Sequence, residues 1–357
     1  MTIVMTTVMS TEMSTEMSTD FLPAFWFVLV AVLWTGYLFL DGFDLGVGML
    51  MRGWARNESR RRVLLNTIGP VWDGNEVWLI TAAGATFAAF PQWYAALFAG
   101  LYIPLTVTLL ALILRAVSIE YRGKSRTALT RNLWDWCLAG GSAVAAFSIG
   151  LLLAVSTTGL PLDANGDRVG GAFAWLTWEG ILGGLAVVGF ALAMGWAYIG
   201  LKTEGAPRQA SHRHLTRWLP LYLLPMGAWA LVVVSREGSL LPWVLLAVAL
   251  VAALGAWTAA SYRREGWTFI ALGLSLMAGA CAVFLTVFPV VLPSTLDPAF
   301  HLTAQNASSS PYTLGVMSWV AVIFVPIILA YSAYVYWVFR RRLAETHIPE
   351  SHVVTPV

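Results

Sequence analysis

Nine long apolar stretches dominate this chain, and each is long enough to cross a hydrocarbon layer of about 30 Å as a helix of ~20 residues. Only helices suit such runs, because every backbone polar group must be satisfied within its own segment. Charged residues make up only 11% of the 357 residues, against about 25% in soluble domains. The sequence therefore predicts an all-α polytopic membrane protein with nine transmembrane helices, near residues 23–50, 68–90, 94–117, 133–155, 173–200, 218–235, 240–260, 267–291 and 313–339.

The basic residues predict the orientation of these spans. If the N-terminus lies outside, 19 of the 21 Lys and Arg residues fall on the cytoplasmic side, and only Arg168 and Arg236 fall on the other side. Such a split follows the positive-inside rule. We therefore expect an external N-terminus and a cytoplasmic C-terminus.

The ends of the chain differ in composition from its centre. Residues 1–20 contain a Thr-Glu-Met-Ser repeat and lack the apolar region of a signal peptide, so they are predicted to be a disordered leader, with Met17 as an alternative start. Residues 21–342 are expected to form the nine-helix domain, and 343–357 a cytoplasmic tail. The two cysteines lie within apolar runs, which favours neither a disulfide framework nor a metal site.

Charged residues inside the predicted spans are the candidates for function. Asp41 and Asp44 lie in the first span, Asp73 and Glu76 in the second, and Arg115 near the inner end of the third. Four carboxylates facing lipid would cost on the order of 10 kcal/mol. Each acidic pair has a three-residue spacing and shares a helix face, so the two pairs are expected to converge between neighbouring antiparallel helices.

Two interpretations of this charged group remain open. Carboxyl groups crowded in a low dielectric share and exchange protons, which suits a proton relay from the cytoplasm. The alternative is a structural polar plug satisfied by Arg115, Asn75 and helix ends. Asp135, which lies between two tryptophans at the start of the fourth span, is predicted to be a membrane-interface residue.

The histidines bear on cofactors. Membrane haems of respiratory complexes are held by axial His or Met side chains within the spans. All five histidines are expected in loops or the tail, and a Met at helical spacing usually packs in a core. We therefore predict that this chain binds no haem or metal directly.

Several strings resemble a known family. Residues 41–50 (DGFDLGVGML) and 69–79 (GPVWDGNEVWL) resemble the two signatures of subunit II of cytochrome bd-type quinol oxidases. Shorter matches follow in the same order, and the resemblance extends over about residues 24–340. Little of the pattern lies in residues 1–20 or in about 156–265.

The resemblance implies a complex in the bacterial cytoplasmic membrane. This chain would pair with subunit I, which carries two b-type haems, one d-type haem and the quinol site. Each subunit would have nine spans arranged as two four-helix bundles plus a peripheral helix. Subunit II would stabilise subunit I and supply a proton path for reduction of O2 to water. Some members also hold a structural quinone or small single-span subunits, and no nucleic acid is involved.

The resemblance also assigns roles to residues. Asp73 and Asp44 match the family's proton-path acids, Asp41 is a helper, and Trp72 would face the partner's haem region. Glu76 departs from the pattern and either joins the relay, together with Arg115, or bonds to the basic loop. The alternatives are a proton- or sodium-coupled secondary transporter and a purely structural assembly factor. A transporter is disfavoured because the later spans carry no second matching set of acids.

Overall fold

The computed structural model describes residues 2–236 and 238–348, and its side chains are described from residue 21, except at His347. The disordered leader predicted over 1–20 stays a prediction, because the side chains of these residues lie outside this description, and so does most of the predicted tail. Eleven α-helices follow one another in these described residues: α1 (Thr2–Gly53), α2 (Glu58–Ile68), α3 (Trp72–Ala89), α4 (Pro91–Gly100), α5 (Tyr102–Tyr121), α6 (Ala128–Thr158), α7 (Trp178–Lys202), α8 (Ala206–Val234), α9 (Leu240–Ser261), α10 (Glu265–Val287) and α11 (Pro311–Val338).

Eight helices of the described residues are long and apolar enough to span a membrane, one fewer than the sequence predicts. The missing one is α3, which has 18 residues and covers most of the predicted second span. Asp73, Asn75 and Glu76 in its first turns lower its mean hydropathy. A polytopic all-α architecture is thus observed, whereas the count of nine spans stays a prediction.

The boundaries of two predicted spans need correction. The third predicted span is interrupted at Leu101, where α4 ends and α5 begins. Helix α8 begins at Ala206, separated from the end of α7 at Lys202 by three residues, and well before the predicted start at 218. Its first turns carry the polar residues Arg208 and His212, which hydropathy assigns to a loop although the backbone is helical.

A short two-stranded ladder interrupts the helical pattern between α10 and α11. Strands β1 (Val290–Leu292) and β2 (Leu302–Thr303) pair antiparallel. An isolated bridge between Leu160 and Ser294 ties this segment to the end of α6. The loop before the last span is therefore folded, a detail that the all-α prediction misses.

Helix α1 is the centre of the packing. It contacts α3, α6 and α7, while α5 packs on α6. Helices α8, α9 and α10 pack on one another, and α8 and α10 also pack on α7. The spans α6 and α7 are the most buried, and α11 is the least buried. Helix α11 touches mainly α1 and α3, so it lies at the periphery of the described helices.

Glycine allows α1 and α7 to approach closely. A Cβ atom at Gly46 would lie 1.9 Å from the Ala191 carbonyl oxygen, and Gly195 on α7 faces the Gly46 backbone in the same way. Small residues are the usual means by which membrane helices bring their backbones together. This contact holds α1 and its acidic residues against α7.

We expect Gly46→Ala to destabilise the fold by about 1–3 kcal/mol or more, because the added methyl group meets a backbone oxygen that cannot move by itself. Thermal unfolding of the detergent-solubilised protein would measure the effect. Gly42→Ala, one turn earlier on the same helix, is the matched control, because its nearest neighbour is the Phe190 ring at 3.7 Å. Equal melting temperatures for the two variants would contradict the prediction.

Candidate buried charge site

A fully buried ion pair lies at the centre of the site. Asp41 on α1 accepts a hydrogen bond from Arg115 on α5, with 2.8 Å between Oδ1 and Nη2, and neither side chain is exposed. Gly141 on α6 allows α6 to pack closely on α5 beside this arginine, because a Cβ there would lie 2.7 Å from the Ala111 carbonyl oxygen and 3.3 Å from the Arg115 backbone nitrogen. A buried guanidinium of this kind requires a carboxylate partner.

Glu76 on α3 brings a second carboxylate to the same arginine. Its Oε1 lies 3.6 Å from Arg115 Nη1, and its side chain retains 16% of its exposure. The distance indicates an ion pair without a good hydrogen bond. Arg115 thus joins α1 and α3 to α5 through their acidic side chains.

Asp44 is held by a separate polar chain. The Asn75 amide on α3 donates to Asp44 Oδ2 at 2.6 Å and to the Leu40 carbonyl at 3.2 Å. The Tyr336 hydroxyl on α11 donates to Asn75 Oδ1 at 2.7 Å, which fixes the orientation of the amide. Tyr336 thereby links the peripheral helix to the acid. Sequence reasoning missed it, since nothing marks one tyrosine among the many aromatic residues at helix ends.

Asp73 does not join the other acids, which corrects the expected convergence of both pairs. It is exposed at the start of α3, and Trp72 beside it is half-buried. A three-residue spacing still separates two side chains by about 60° around a helix. Asn75 and Glu76 occupy the inward sector, so Asp73 lies on the outer side of that sector. The roles predicted for Asp73 and Trp72 remain predictions.

A second ionic cluster joins the ends of α2, α5 and α6. Asp135 is fully buried, with Arg122 Nε at 2.5 Å and Arg61 Nη1 at 3.0 Å, and Arg122 also binds Glu58 at 2.7 Å. The location of Asp135 at the membrane interface, which its flanking tryptophans indicated, stays a prediction. Its side chain is buried and faces the two arginines. Two arginines balance the carboxylate, so this cluster has the features of a structural clamp.

The histidine positions also differ from the prediction. His212 and His214 lie within α8, because that helix begins earlier than expected. The His214 ring stacks on Trp196 at 4.3 Å, and His212 Nε2 lies 3.0 Å from Glu265 Oε1. Among the side chains that the structure describes, no three of His, Cys, Asp or Glu group closely enough to hold a metal ion. The argument that no span contains a histidine therefore fails, and the absence of a bound haem stays a prediction.

These features define a class: an integral membrane protein of many helices, with paired and partly unpaired carboxyl groups buried between three of them. The model of the family described as cytochrome bd terminal oxidase subunit II matches residues 22–339. The chain belongs to the cytochrome bd terminal oxidase subunit II family.

Individual relatives agree with this assignment. The chain is 38% identical to the cytochrome bd ubiquinol oxidase subunit 2 of Bacillus subtilis, with 89% of this chain and 96% of the relative covered. It is 34% identical to the cytochrome bd-I ubiquinol oxidase subunit 2 of Escherichia coli, with 90% and 95% covered. A chain of the solved bd oxidase from Geobacillus thermodenitrificans has the same fold, with a TM-score of 0.73, 17% identity, and 89% and 98% of the two chains covered.

Proposed function

We propose that this chain is the haem-free subunit of a respiratory quinol oxidase, which oxidises quinol and reduces O2 to water in the bacterial cytoplasmic membrane. The observation that carries the proposal is a group of three acids between the helices: Asp41 and Glu76, which pair with Arg115, and the buried Asp44, which bonds to Asn75. Reduction of O2 consumes protons, and ionisable residues buried among membrane helices mark proton routes in other membrane proteins. The chain's task in this complex is to stabilise its partner and to conduct protons.

The proposed partner is subunit I, which would carry two b-type haems and one d-type haem. Those haems would supply the electron transfer and O2 chemistry, and this chain's residues would supply protons and packing. Small single-span subunits and a structural quinone are compatible additions. The proposed arrangement has nine spans, with α3 counted as one, an external N-terminus and a cytoplasmic C-terminus. The packing of α1, α3, α5 and α6, and of α7 to α10, supports two four-helix bundles with α11 outside them.

The proposed proton path uses the acids at different depths. Asp73 lies exposed on the outer face of α3, where water or the partner subunit can reach it. Glu76 follows one turn deeper and is partly exposed, and Arg115 connects it to the fully buried Asp41. Asp44 is the other buried acid of α1. A proton entering at Asp73 would therefore pass inward through Glu76 to the acids of α1.

Substitution of Asp73 tests this proposal in the complex purified with its haem-bearing partner. We expect Asp73→Asn to lower quinol-dependent O2 consumption by roughly tenfold or more while the haem content stays unchanged, because the amide cannot carry a proton. Asp167→Asn, an exposed loop acid, is the matched control. The measurements are turnover per haem and the reduced-minus-oxidised spectrum.

The outcomes separate the competing functions. Unchanged turnover in a fully assembled Asp73→Asn complex would remove Asp73 from the path. Loss of haem together with activity would favour a purely structural assembly role. Purification of the chain without any haem-bearing partner would oppose the oxidase and favour a proton- or sodium-coupled transporter.

A further inference from the structure

Six buried polar atoms around the acidic site have no hydrogen-bond partner within the described part of the chain. They are Tyr37 Oη, Asp41 Oδ2, Asp44 Oδ1, Ser142 Oγ, and the Nε and Nη1 atoms of Arg115. A buried polar atom without a partner costs free energy, and native proteins tolerate few of them. Six in one region therefore indicate a polar ligand that the protein is built to hold.

The members of this group that belong to α1 lie on one face of that helix. Tyr37, Asp41, Asp44 and Gly48 are separated by four, three and four residues, which keeps them on one side of a helix. Tyr37 is fully buried and faces the site: its hydroxyl lies close to the Asp41 carboxylate, but the two do not form a well-aligned hydrogen bond. The row extends over about 16 Å of helix at 1.5 Å per residue.

Ser142 on α6 lies at the other end of the row. A Cβ atom at Gly48 would lie 2.1 Å from Ser142 Oγ, so the serine hydroxyl approaches α1 one turn beyond Asp44. The absence of a side chain at Gly48 makes room for this hydroxyl. The two neutral hydroxyls of Tyr37 and Ser142 therefore bracket the acids.

The mixture of donors and acceptors identifies the ligand. The Nε and Nη1 atoms of Arg115 can only donate, ionised carboxylate oxygens can only accept, and the hydroxyls can do both. A metal cation would meet the guanidinium, and an anion would meet the carboxylates. Water, which donates and accepts, can bridge all of these groups, and buried waters commonly make two to four such hydrogen bonds.

We infer that a file of bound water molecules runs along α1 from Tyr37 past Asp41 and Asp44 to Ser142. This inference rests on the proposed function, because the file would carry protons between carboxyl groups that do not contact each other. Tyr37 and Ser142 are positioning residues that anchor the two ends of the file. Arg115 holds its middle through the two nitrogen atoms that Asp41 does not occupy.

A cryo-electron microscopy map of the complete complex, at a resolution that shows ordered water, tests the file directly. We expect water density within hydrogen-bond distance of Tyr37 Oη, of both free carboxylate oxygens and of Arg115 Nε. Rotation of these side chains into direct bonds with one another or with the partner subunit, without intervening density, would overturn the inference.

Two conservative substitutions test the anchors by turnover in the same complex. We expect Tyr37→Phe and Ser142→Ala each to lower turnover by about fivefold, the effect of losing one hydrogen bond, and to alter the solvent deuterium isotope effect. Tyr94→Phe on α4 and Ser148→Ala on α6 are the matched controls. A purely structural role would change thermal stability and leave the isotope effect as it is in the unmodified complex.

The test separates this inference from the proposed function. Water density together with unchanged turnover in Asp44→Asn would retain the file and remove its role in proton delivery. Direct side-chain bonds without water, together with slowed turnover in Asp44→Asn, would overturn the file and leave the proton path supported. An isotope effect unchanged in both Tyr37→Phe and Ser142→Ala would overturn their role as anchors.

Discussion

Arg115→Met is expected to prevent accumulation of a stable complex. The substitution keeps the volume of the side chain but leaves Asp41 buried, with no exposure and no opposing charge. Breaking a buried ion pair by removing one partner costs about 3–5 kcal/mol, a large fraction of the stability of an ordinary protein. Glu76 would lose its ion-pair partner as well. The amount of complex recovered from the membrane and its melting temperature would measure the loss.

A second substitution should reverse part of this loss. In the double variant Asp41→Asn with Arg115→Met, no unpaired charge remains from the central pair, so recovery of the complex should improve over the single variant. Arg126→Met, an exposed arginine after α5, is the matched control and should behave like the unmodified chain. Normal yield and stability of the single variant would show that water or the partner subunit already compensates Asp41.

The sequence marked Asp41 and Arg115 as candidates, without pairing them, because the cost of a buried charge is a matter of residue type. Charges within a span need partners, and Arg115 is the basic residue that the third predicted span offers to Asp41. The same reasoning anticipated Glu76 and Asn75 near the site. It did not separate Asp73 from Glu76, because a three-residue spacing fixes two side chains only to the same broad half of a helix.

Other features of the site depend on contacts between distant parts of the chain. Tyr336 reaches Asn75 across more than half of the sequence, and only the packing of α11 against α1 and α3 brings them together. Asp135 illustrates the same limit, because its burial depends on Arg61 and Arg122 from two other elements. The sequence around Asn75 or Asp135 contains no pattern that indicates these distant partners.

The spans were predicted best where the ends of the apolar stretch coincide with the ends of the backbone helix. Hydropathy located the apolar centres of the spans, but it measures transfer to lipid and does not report where a backbone helix starts. Helix α8 therefore begins well before its apolar part, with Arg208 and His212 paired to Glu265 of α10. At α3, the polar residues that form the site lower the mean hydropathy of an 18-residue helix, so hydropathy alone does not decide whether this helix spans the membrane.

Asp44→Asn is expected to separate a proton relay from a structural plug. The amide occupies the same space, and its oxygen can still accept the hydrogen bond that Asn75 donates at 2.6 Å. A plug would therefore keep both its stability and its turnover. A relay would lose the titratable group that binds and releases the proton. We therefore expect turnover per haem to fall by about a hundredfold while haem content stays constant.

The measurement for Asp44→Asn is quinol-dependent O2 consumption normalised to haem, alongside Asp167→Asn as the control. Asp44 is fully buried, and its hydrogen-bond partner is the neutral amide of Asn75. Replacement of Asp44 therefore leaves no opposing charge unpaired. The variant should consequently assemble better than Arg115→Met, and any loss of turnover can be assigned to proton transfer. Normal turnover in the assembled Asp44→Asn complex would favour the plug, since an isosteric amide meets every packing and hydrogen-bonding requirement that a plug imposes.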